Sequence, residues 1–390
     1  MNQEQVRDMK WLIRFSEYLF YLFFASLIFS NTLAQGLAII LVFLWIYKWF
    51  STRKFIKTPL DLPVIIYLFV RAISCFTSVD VMLSLKELSS AIFFSLIYFA
   101  VTNLNDFEKE DIVLYRYIAI LIYAGAIASI YGTTYVFLHH FTERAQSTAG
   151  GITRFAEYIM IVFCLSFSLA QNKRIFPKRF IAFLVLGIIG MGLIFAKERA
   201  QWLGIIPVIL VVGLRRERWM LLYVTAIFGV ITAMLKPIRN RLITLLQPLS
   251  YTSGRLTIWR GAKLLLLKKP FLGFGPRTYS VVSPFLKDKG SWHSDYLQIY
   301  MESGIFGFAS YIYLSFMIFN KCVKIYRSHC WRDIGCAFLF TMIGMYIASF
   351  FTGHTQEPII NPLFFSLIGF ISLLVNSKKR KDRLKNKKWK

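Results

Sequence analysis

The segment WHSDYLQIYMESGIFG, residues 292–307, places a single histidine, His293, between a basic loop and an apolar helix. Ser291 or Ser294 is suited to cap that helix, and Asp295 falls in its first turn. The positive end of the helix dipole and the nearby arginines disfavour a protonated imidazole. Because a neutral imidazole accepts a proton, the segment predicts a general base. The alternative is a histidine that only caps the helix or hydrogen-bonds at the membrane interface.

Two arginines earlier in the chain are candidates for binding an anion. Arg199 lies in KERAQWLG, a connection between two apolar runs that is too short to leave the membrane surface. An ionisable group at that depth needs a partner, which is either a ligand or a neighbour such as Glu198. Arg255 follows a Ser-Gly turn and begins the basic, amphipathic stretch RLTIWRGAKLLLLKK, residues 255–269. Arginine binds phosphate oxygens in a bidentate manner, so both positions predict a phosphate-bearing ligand.

Other residues in the same region are predicted to support ligand binding. Trp259 and Arg260 belong to the amphipathic stretch, Arg277 follows the bend PFLGFGP, and Asp295 accompanies His293. The bend does not resemble a nucleotide-binding loop, because neither a strand nor a helix pattern flanks it correctly.

Four further positions carry alternatives. His354 is predicted on the same side of the membrane as His293 and is expected to line the same cavity. Arg71, within an apolar span, either serves a substrate pathway or pairs structurally. Gly304 and Gly307 are predicted to allow close helix packing rather than to bind a ligand.

The elements that position these residues are predicted from hydropathy. The chain has 390 residues, of which 56% are hydrophobic, whereas a soluble domain averages about 45–50%. Its mean hydropathy is +0.55. Apolar runs of about 20 residues recur and do not alternate as barrel strands would. The pattern predicts one all-α, polytopic membrane domain over residues 1–390. We expect about 12 transmembrane helices near residues 17–31, 33–50, 60–78, 84–103, 112–138, 154–171, 180–196, 200–214, 219–235, 298–320, 334–352 and 358–376.

The net charge of +26 has an explanation other than nucleic acid. Most Lys and Arg residues lie in alternate short loops, where they fix the orientation of the helices. This distribution predicts that both termini, including the basic tail 377–390, are cytoplasmic. The five cysteines form no C-x-x-C pair, so neither a disulfide framework nor a zinc site is expected.

Residues 236–292, between the ninth and tenth predicted helices, depart from this distribution. They carry eleven Lys or Arg residues and one acidic residue, Asp288, yet are predicted to lie outside the membrane. The rule that places Lys and Arg in cytoplasmic loops does not explain a positive charge on the outer side. Either an anionic partner such as a phosphate-bearing lipid explains it, or the basic side chains reach the headgroups from an interfacial helix. We expect at least one of the arginines to bind substrate.

Taken in order, these pieces resemble the O-antigen ligase and polymerase superfamily. The matching marks are R-x-x-W at Arg199 to Trp202, S-G-R-x-x-x-W at Ser253 to Trp259, P-x-x-G-x-G at Pro270 to Gly275, and H-S followed by G-x-x-G at His293, Ser294, Gly304 and Gly307. The predicted helices and the late basic loop extend the resemblance over nearly the whole chain. One departure is Lys197-Glu198 before Arg199, where the family often has Ser or Thr.

The resemblance implies a GT-C type glycosyltransferase in the inner membrane of Gram-negative bacteria, with its site facing the periplasm. Within the superfamily, the length and the single long loop late in the chain favour a ligase over a polymerase. The short basic tail is expected to distinguish the chain from the oligosaccharyltransferases, which often carry a large C-terminal periplasmic domain. A ligase would transfer O-antigen from undecaprenyl pyrophosphate to lipid A–core, inverting the anomeric carbon, with no metal or other cofactor. His293 would be the base, and Arg199 and Arg255 would bind the pyrophosphate. Membrane lipids are expected partners and nucleic acid is not. A polymerase of the same superfamily and, in another class, a lipid or polysaccharide transporter are alternatives.

Overall fold

A computed structural model describes residues 3–87, 92–105, 110–246, 254–285, 287 and 290–388. Within these ranges the chain is helical and contains no strand, so the all-α prediction is confirmed. The helices are α1 (Gln3–Ser26), α2 (Asn31–Thr52), α3 (Asp61–Phe76), α4 (Val81–Glu87), α5 (Phe93–Ser95), α6 (Ile97–Leu104), α7 (Glu110–Leu138), α8 (Ile152–Ser168), α9 (Arg179–Ala196), α10 (Arg199–Arg215), α11 (Arg218–Met234), α12 (Lys236–Leu246), α13 (Arg255–Leu265), α14 (Tyr279–Val282), α15 (Asp295–Tyr326), a 3-10 helix (His329–Trp331), α16 (Arg332–Ala348) and α17 (Ile360–Lys388).

The chain is a multi-pass membrane protein by the length and hydropathy of its helices. Among the described residues, six helices are long and apolar enough to cross a bilayer. A seventh is reached if α11 and α12, which are bent by 106° at their junction, form one broken span. α8 and α10 coincide with predicted spans but have 17 residues each, the lower limit for a crossing helix. The count of twelve therefore stays a prediction.

Two predicted segments need comment. The span predicted at 84–103 is described only as α4, α5 and α6, since residues 88–91 lie outside the described part of the chain. The basic segment 236–292 was predicted as a loop, but its described residues form helices α12, α13 and α14. α13 matches the amphipathic stretch predicted from Arg255.

The centre of the bundle is α8, in which every residue from Phe155 to Ser168 is buried. α10 packs against α8 and α16, while α15 packs against α3 and α16. α8, α10 and α15 begin at the end of the bundle where α16 finishes. The connection between α16 and α17 therefore meets the first turns of these three helices, and we call this the cavity end.

Near the cavity end α15 is broken at Gly304, where φ is 62° and ψ is −160°. The bend 270–275 packs into the break and pairs with its backbone. The Ile305 N–H donates to the Pro270 carbonyl at 2.7 Å, and the Phe274 N–H donates to the Met301 carbonyl at 2.8 Å. The glycine bend and the broken helix therefore hold each other in place, and the close neighbour of Gly304 is this bend rather than another helix.

Replacement of Gly304 by alanine is expected to destabilise the protein strongly. A Cβ atom at this position would lie 2.3 Å from the backbone of Phe271. The positive φ adds a cost of about 1–3 kcal/mol for a residue with a side chain. Gly36→Ala in α2 is the matched control, because nothing lies within 4 Å of a Cβ there. Thermal unfolding in detergent should show a clear loss of Tm for Gly304→Ala alone, and equal Tm values would contradict the close packing.

Candidate functional site

A cavity of about 700 Å³ opens at the cavity end of the bundle. It is lined by residues from the start of α8, the start of α10, α12, α13, the segment before α15 and the connection between α16 and α17. Its charged and titratable lining residues are Arg144, Arg154, Glu198, Arg199, Arg241, Arg255, Arg277, His293 and Glu357. Arg199, Arg255, Arg277 and His293, which lie far apart in the sequence, are thus brought to one cavity.

The cavity is strongly cationic, with six arginines against two glutamates among the residues that line it. Both glutamates already form ion pairs. Glu198 pairs with Arg144, and Glu357 Oε2 lies 2.5 Å from Arg154 Nε. Four positive charges remain in formal excess, which favours an anionic ligand with more than one negative charge.

The repulsion among these arginines affects the pKa of Arg255. Burial lowers the pKa of the Arg255 guanidinium, and the neighbouring Arg199 and Arg241 lower it further, while Glu198 acts in the opposite direction. The side chain still remains protonated at neutral pH, because an arginine starts from a very high pKa. A bound anion would relieve this repulsion, so the arrangement is suited to a ligand such as a phosphate group.

Arg199 begins α10, directly after the tight connection from α9. Lys197 has a left-handed φ of 54°, which lets the chain reverse in two residues. The Arg199 Nη1 donates to the Thr244 carbonyl at 3.0 Å, and Arg241 Nε donates to the Lys197 carbonyl at 3.1 Å. Glu198, considered above as the partner of Arg199, forms its ion pair with Arg144 instead.

α13 places one face on the cavity and the other on a small core. Arg255 is on the cavity side, whereas Ile258 is fully buried in a cluster with Trp292. Trp259, on the same helix, donates a hydrogen bond from Nε1 to the Trp292 carbonyl at 3.2 Å. Trp259 does not line the cavity, but it holds the residue that immediately precedes His293. Ser253, the first residue of the motif that contains Arg255, lies outside the described residues.

His293 lies on the cavity wall two residues before α15, half-buried and with a φ of 51°. Ser294 occupies the N-cap position, but its side chain makes no capping hydrogen bond. Arg277, on the same cavity, has a φ of 61°. Left-handed residues with side chains are strained and cluster at functional sites. Two of them on one cavity wall support a functional role for this region.

Besides Trp259, two further predicted supporting residues lie away from the cavity. Arg260 is exposed and does not line the cavity. Asp295 is fully buried, and its carboxylate accepts hydrogen bonds from the backbone N–H groups of His354 and Thr355, both at 3.1 Å. Asp295 therefore fixes the connection between α16 and α17, which lines the cavity, rather than facing it.

His354, expected on the cavity wall, is instead buried in an ion pair. Its Nδ1 lies 3.1 Å from Glu157 Oε2. Burial acts to lower the pKa of His354, but Glu157 outweighs it and the pKa is raised to about 9. Glu157 therefore favours the protonated imidazole, and His354 is buried and does not line the cavity.

An apolar groove of about 300 Å³ lies between α9, α10 and α11. Trp202, Leu203 and Ile206 line it from α10, and Leu242 lines it from α12. Because Arg199 and Arg241 face the cavity from these same two helices, cavity and groove are adjacent. In the parts of the chain that the structure describes, no three His, Cys, Asp or Glu side chains are grouped closely enough to hold a metal ion. Metal independence stays a prediction.

Sequence reasoning missed Arg144 and Arg154 as members of this cavity. Arg144 lies in the connection between α7 and α8, and Arg154 lies in the first turn of α8, where basic residues gave no topological signal. Their place depends on contacts with Glu198 and Glu357, which are 54 and 203 residues away along the chain. No local pattern predicts such pairs.

Residues 183–312 match the family model described as O-antigen ligase. The match spans about a third of the chain and contains Arg199, Arg255, Arg277 and His293. No curated protein matches the chain. The matched segment holds the motifs on which the resemblance was based, and it supports the assignment to the O-antigen ligase and polymerase superfamily.

Proposed function

We propose that this chain, a member of the O-antigen ligase and polymerase superfamily, is an O-antigen ligase. It would transfer O-antigen polysaccharide from undecaprenyl pyrophosphate to the lipid A–core oligosaccharide of lipopolysaccharide. The broader assignment, a membrane enzyme of the glycosyltransferase type, rests on the family match and on the apolar helices. The donor, the acceptor and a cavity that faces the periplasm from the inner membrane are steps of the proposal.

The adjacency of a cationic cavity and an apolar groove carries the proposal. α10 presents Arg199 to the cavity and, one turn later, Trp202 to the groove. α12 does the same with Arg241 and Leu242. A donor that joins a pyrophosphate to a long polyprenyl chain matches this arrangement. Its anionic part suits the cationic cavity, and its apolar chain suits the adjacent groove. A soluble nucleotide-sugar donor would need the cavity but would leave the groove without a role.

The arginines supply the charge that the leaving group needs. When the bond between the anomeric carbon and the phosphate oxygen breaks, negative charge grows on the polyprenyl pyrophosphate. Fixed cations that face this charge lower the barrier, because they need no reorganisation during the reaction. Arg199 and Arg255 would bind the phosphate oxygens, with Arg241 and Arg277 close to the same volume.

His293 would act on the acceptor. A hydroxyl of the outer core sugar forms the new bond to the anomeric carbon while its O–H bond breaks and the proton passes to the imidazole. The electron pair of the breaking carbon–oxygen bond leaves with the pyrophosphate. Direct displacement inverts the configuration at the anomeric carbon, and a positioned base contributes about 10²–10⁴ to the rate.

A transfer assay with two acceptors tests the assignment. Purified protein in liposomes is given lipid-linked glycan, with or without rough lipopolysaccharide. A ligase forms the covalent product only when lipopolysaccharide is present. Longer lipid-linked glycan in its absence would identify a polymerase, and glycan that crosses the membrane without a new bond would identify a transporter.

The orientation gives a separate prediction, in which a native cysteine is the internal control. Lys287→Cys should react with a membrane-impermeant thiol reagent in intact inner-membrane preparations that expose the periplasmic face. Cys330 is exposed but lies on the segment predicted to be cytoplasmic, so it should react only after permeabilisation. If Cys330 reacts in the intact preparation and Lys287→Cys reacts only after permeabilisation, the orientation is the opposite of the one proposed. The remaining cysteines, which are buried, are Cys75, Cys164, Cys322 and Cys336.

A further inference from the structure

Glu302 is a buried carboxylate in α15 that no part of the proposed chemistry uses. Its side chain is 1% exposed, and that of its ion-pair partner Arg71 is 3% exposed. Arg71 Nη1 lies 2.8 Å from Glu302 Oε2. A buried ion pair is weak evidence for added stability, because desolvation offsets the attraction. The role of Glu302 follows from the hydrogen bonds that its other carboxylate oxygen, Oε1, accepts.

The Oε1 atom of Glu302 joins three separate segments of the cavity wall. It accepts a hydrogen bond from the backbone N–H of Arg277 at 3.0 Å and one from Gln356 Nε2 at 2.6 Å. It also accepts one from Gln298 Nε2. Arg277, Gln298 and Gln356 all line the cavity, although they belong to the segment between α13 and α14, to α15 and to the connection before α17.

The same network reaches the segment that holds His293. Gln298, bound to Glu302 through Nε2, accepts the backbone N–H of Trp292 through Oε1 at 2.9 Å. His293 follows directly, with its left-handed φ of 51°. Arg277, whose own N–H is bound to Glu302, has a φ of 61°. Strained conformations persist only where the surroundings hold them, and here one carboxylate is connected to both.

We propose that Glu302, neutralised by Arg71, is a positioning residue that fixes Arg277 and His293 relative to each other. This inference rests on the proposed function, since it assumes that His293 takes the proton of the acceptor. Glu302 does not line the cavity, so it acts through these residues and not on the substrate. Arg199 donates to the Thr244 carbonyl and Arg255 lies on α13, so neither is bound to Glu302 and both should be unaffected by its loss.

The main test is Glu302→Gln, which keeps the size of the side chain. Both oxygens of Glu302 accept hydrogen bonds, but the amide of Gln has one oxygen and one NH₂ group. The NH₂ group must therefore face either Arg71 or the three donors at Oε1, and that contact is lost. A displacement of a reacting group by about 1 Å costs on the order of 10²-fold in rate. We therefore expect turnover to fall by about 10²-fold. The apparent affinity for the lipid-linked donor should change by much less, roughly twofold, because Arg199 and Arg255, which would bind the phosphate oxygens, are not bound to Glu302.

A double variant separates positioning from general damage. In His293→Ala one of the two residues that Glu302 positions has already lost its reactive group, and only the effect on Arg277 remains. Adding Glu302→Gln should therefore lower the residual rate by less than about tenfold, far less than in the wild-type background. A merely structural role would reduce the rate by the same factor in both backgrounds.

Gln298→Met decides the matter if Glu302→Gln does not fold. It removes the connection to Trp292 but leaves the Arg71–Glu302 ion pair and the bond to the Arg277 backbone. The variant loses two hydrogen bonds, one to Glu302 and one from the Trp292 N–H. Turnover should fall by about tenfold, which corresponds to about 1.4 kcal/mol, and the protein should remain folded. Asp333→Asn is the control, because it breaks the Arg216–Asp333 ion pair, 2.6 Å long, at the far end of α16.

The outcomes are distinct. Loss of turnover in Glu302→Gln and Gln298→Met, retained donor affinity and non-additivity with His293→Ala would support the positioning role. Wild-type turnover in a folded Glu302→Gln, or in Gln298→Met when the first variant is not obtained, would overturn it, and so would equal losses in both backgrounds. Failure of the wild type to form any covalent product would instead overturn the proposed function and this inference with it.

Discussion

Replacement of His293 by alanine is expected to lower the transfer rate at saturating donor and acceptor by about 10²–10⁴, the usual contribution of a general base. The protein should still insert and fold, because the side chain is half-buried at a helix start and not packed in the core. His139→Ala is the matched control, since His139 is exposed and is not part of the cavity lining. The measurement is single-turnover transfer by purified protein in liposomes.

The pH dependence of the wild type should agree with this role. A protonated imidazole cannot accept the proton of the acceptor, so the rate should fall as the pH decreases. The rates of the wild type and of His293→Ala are compared from pH 5 to 8. A His293→Ala variant with the wild-type rate over that range would remove His293 from the mechanism.

The second large effect is expected for Arg199→Lys and Arg255→Lys. Lysine keeps the charge but loses the planar fork that binds two phosphate oxygens. A hydrogen bond to a charged group contributes about 1.5–3 kcal/mol, so each variant should lose roughly 10- to 100-fold in kcat/KM for the donor. Arg260→Lys on the same helix as Arg255 is the control, because Arg260 is exposed and away from the cavity. Full activity in both cavity variants would show that no bidentate contact is needed.

Much of the helical framework was predictable because apolar runs and turn residues are local signals. The connection before Arg199, the amphipathic helix from Arg255 and the helix start after His293 all occur where the sequence predicts them. The structure adds that these three residues share one cavity. Their catalytic and binding roles stay predictions.

Long-range polar contacts were beyond the reach of the sequence. Glu302 appears there as one acid within an apolar run, and its partner Arg71 is 231 residues away. His354 seemed suited to the cavity because it neighbours polar residues, yet its contact with Glu157 buries it. Asp295 likewise had the position of a first-turn acid, whereas the fold uses it to bind the backbone after α16. In each case the partner, and not the local pattern, decides the role.

The central claim is that the cationic cavity breaks the bond between a glycan and its lipid pyrophosphate while forming a bond to an acceptor. The most direct measurement quantifies both products in one reaction, with purified protein, lipid-linked glycan and rough lipopolysaccharide. We expect equal amounts of glycosylated lipopolysaccharide and released polyprenyl pyrophosphate, and a large decrease of both in His293→Ala and Arg255→Lys. Release of neither product by the folded wild-type protein, or equal yields from the wild type and both variants, would contradict the account.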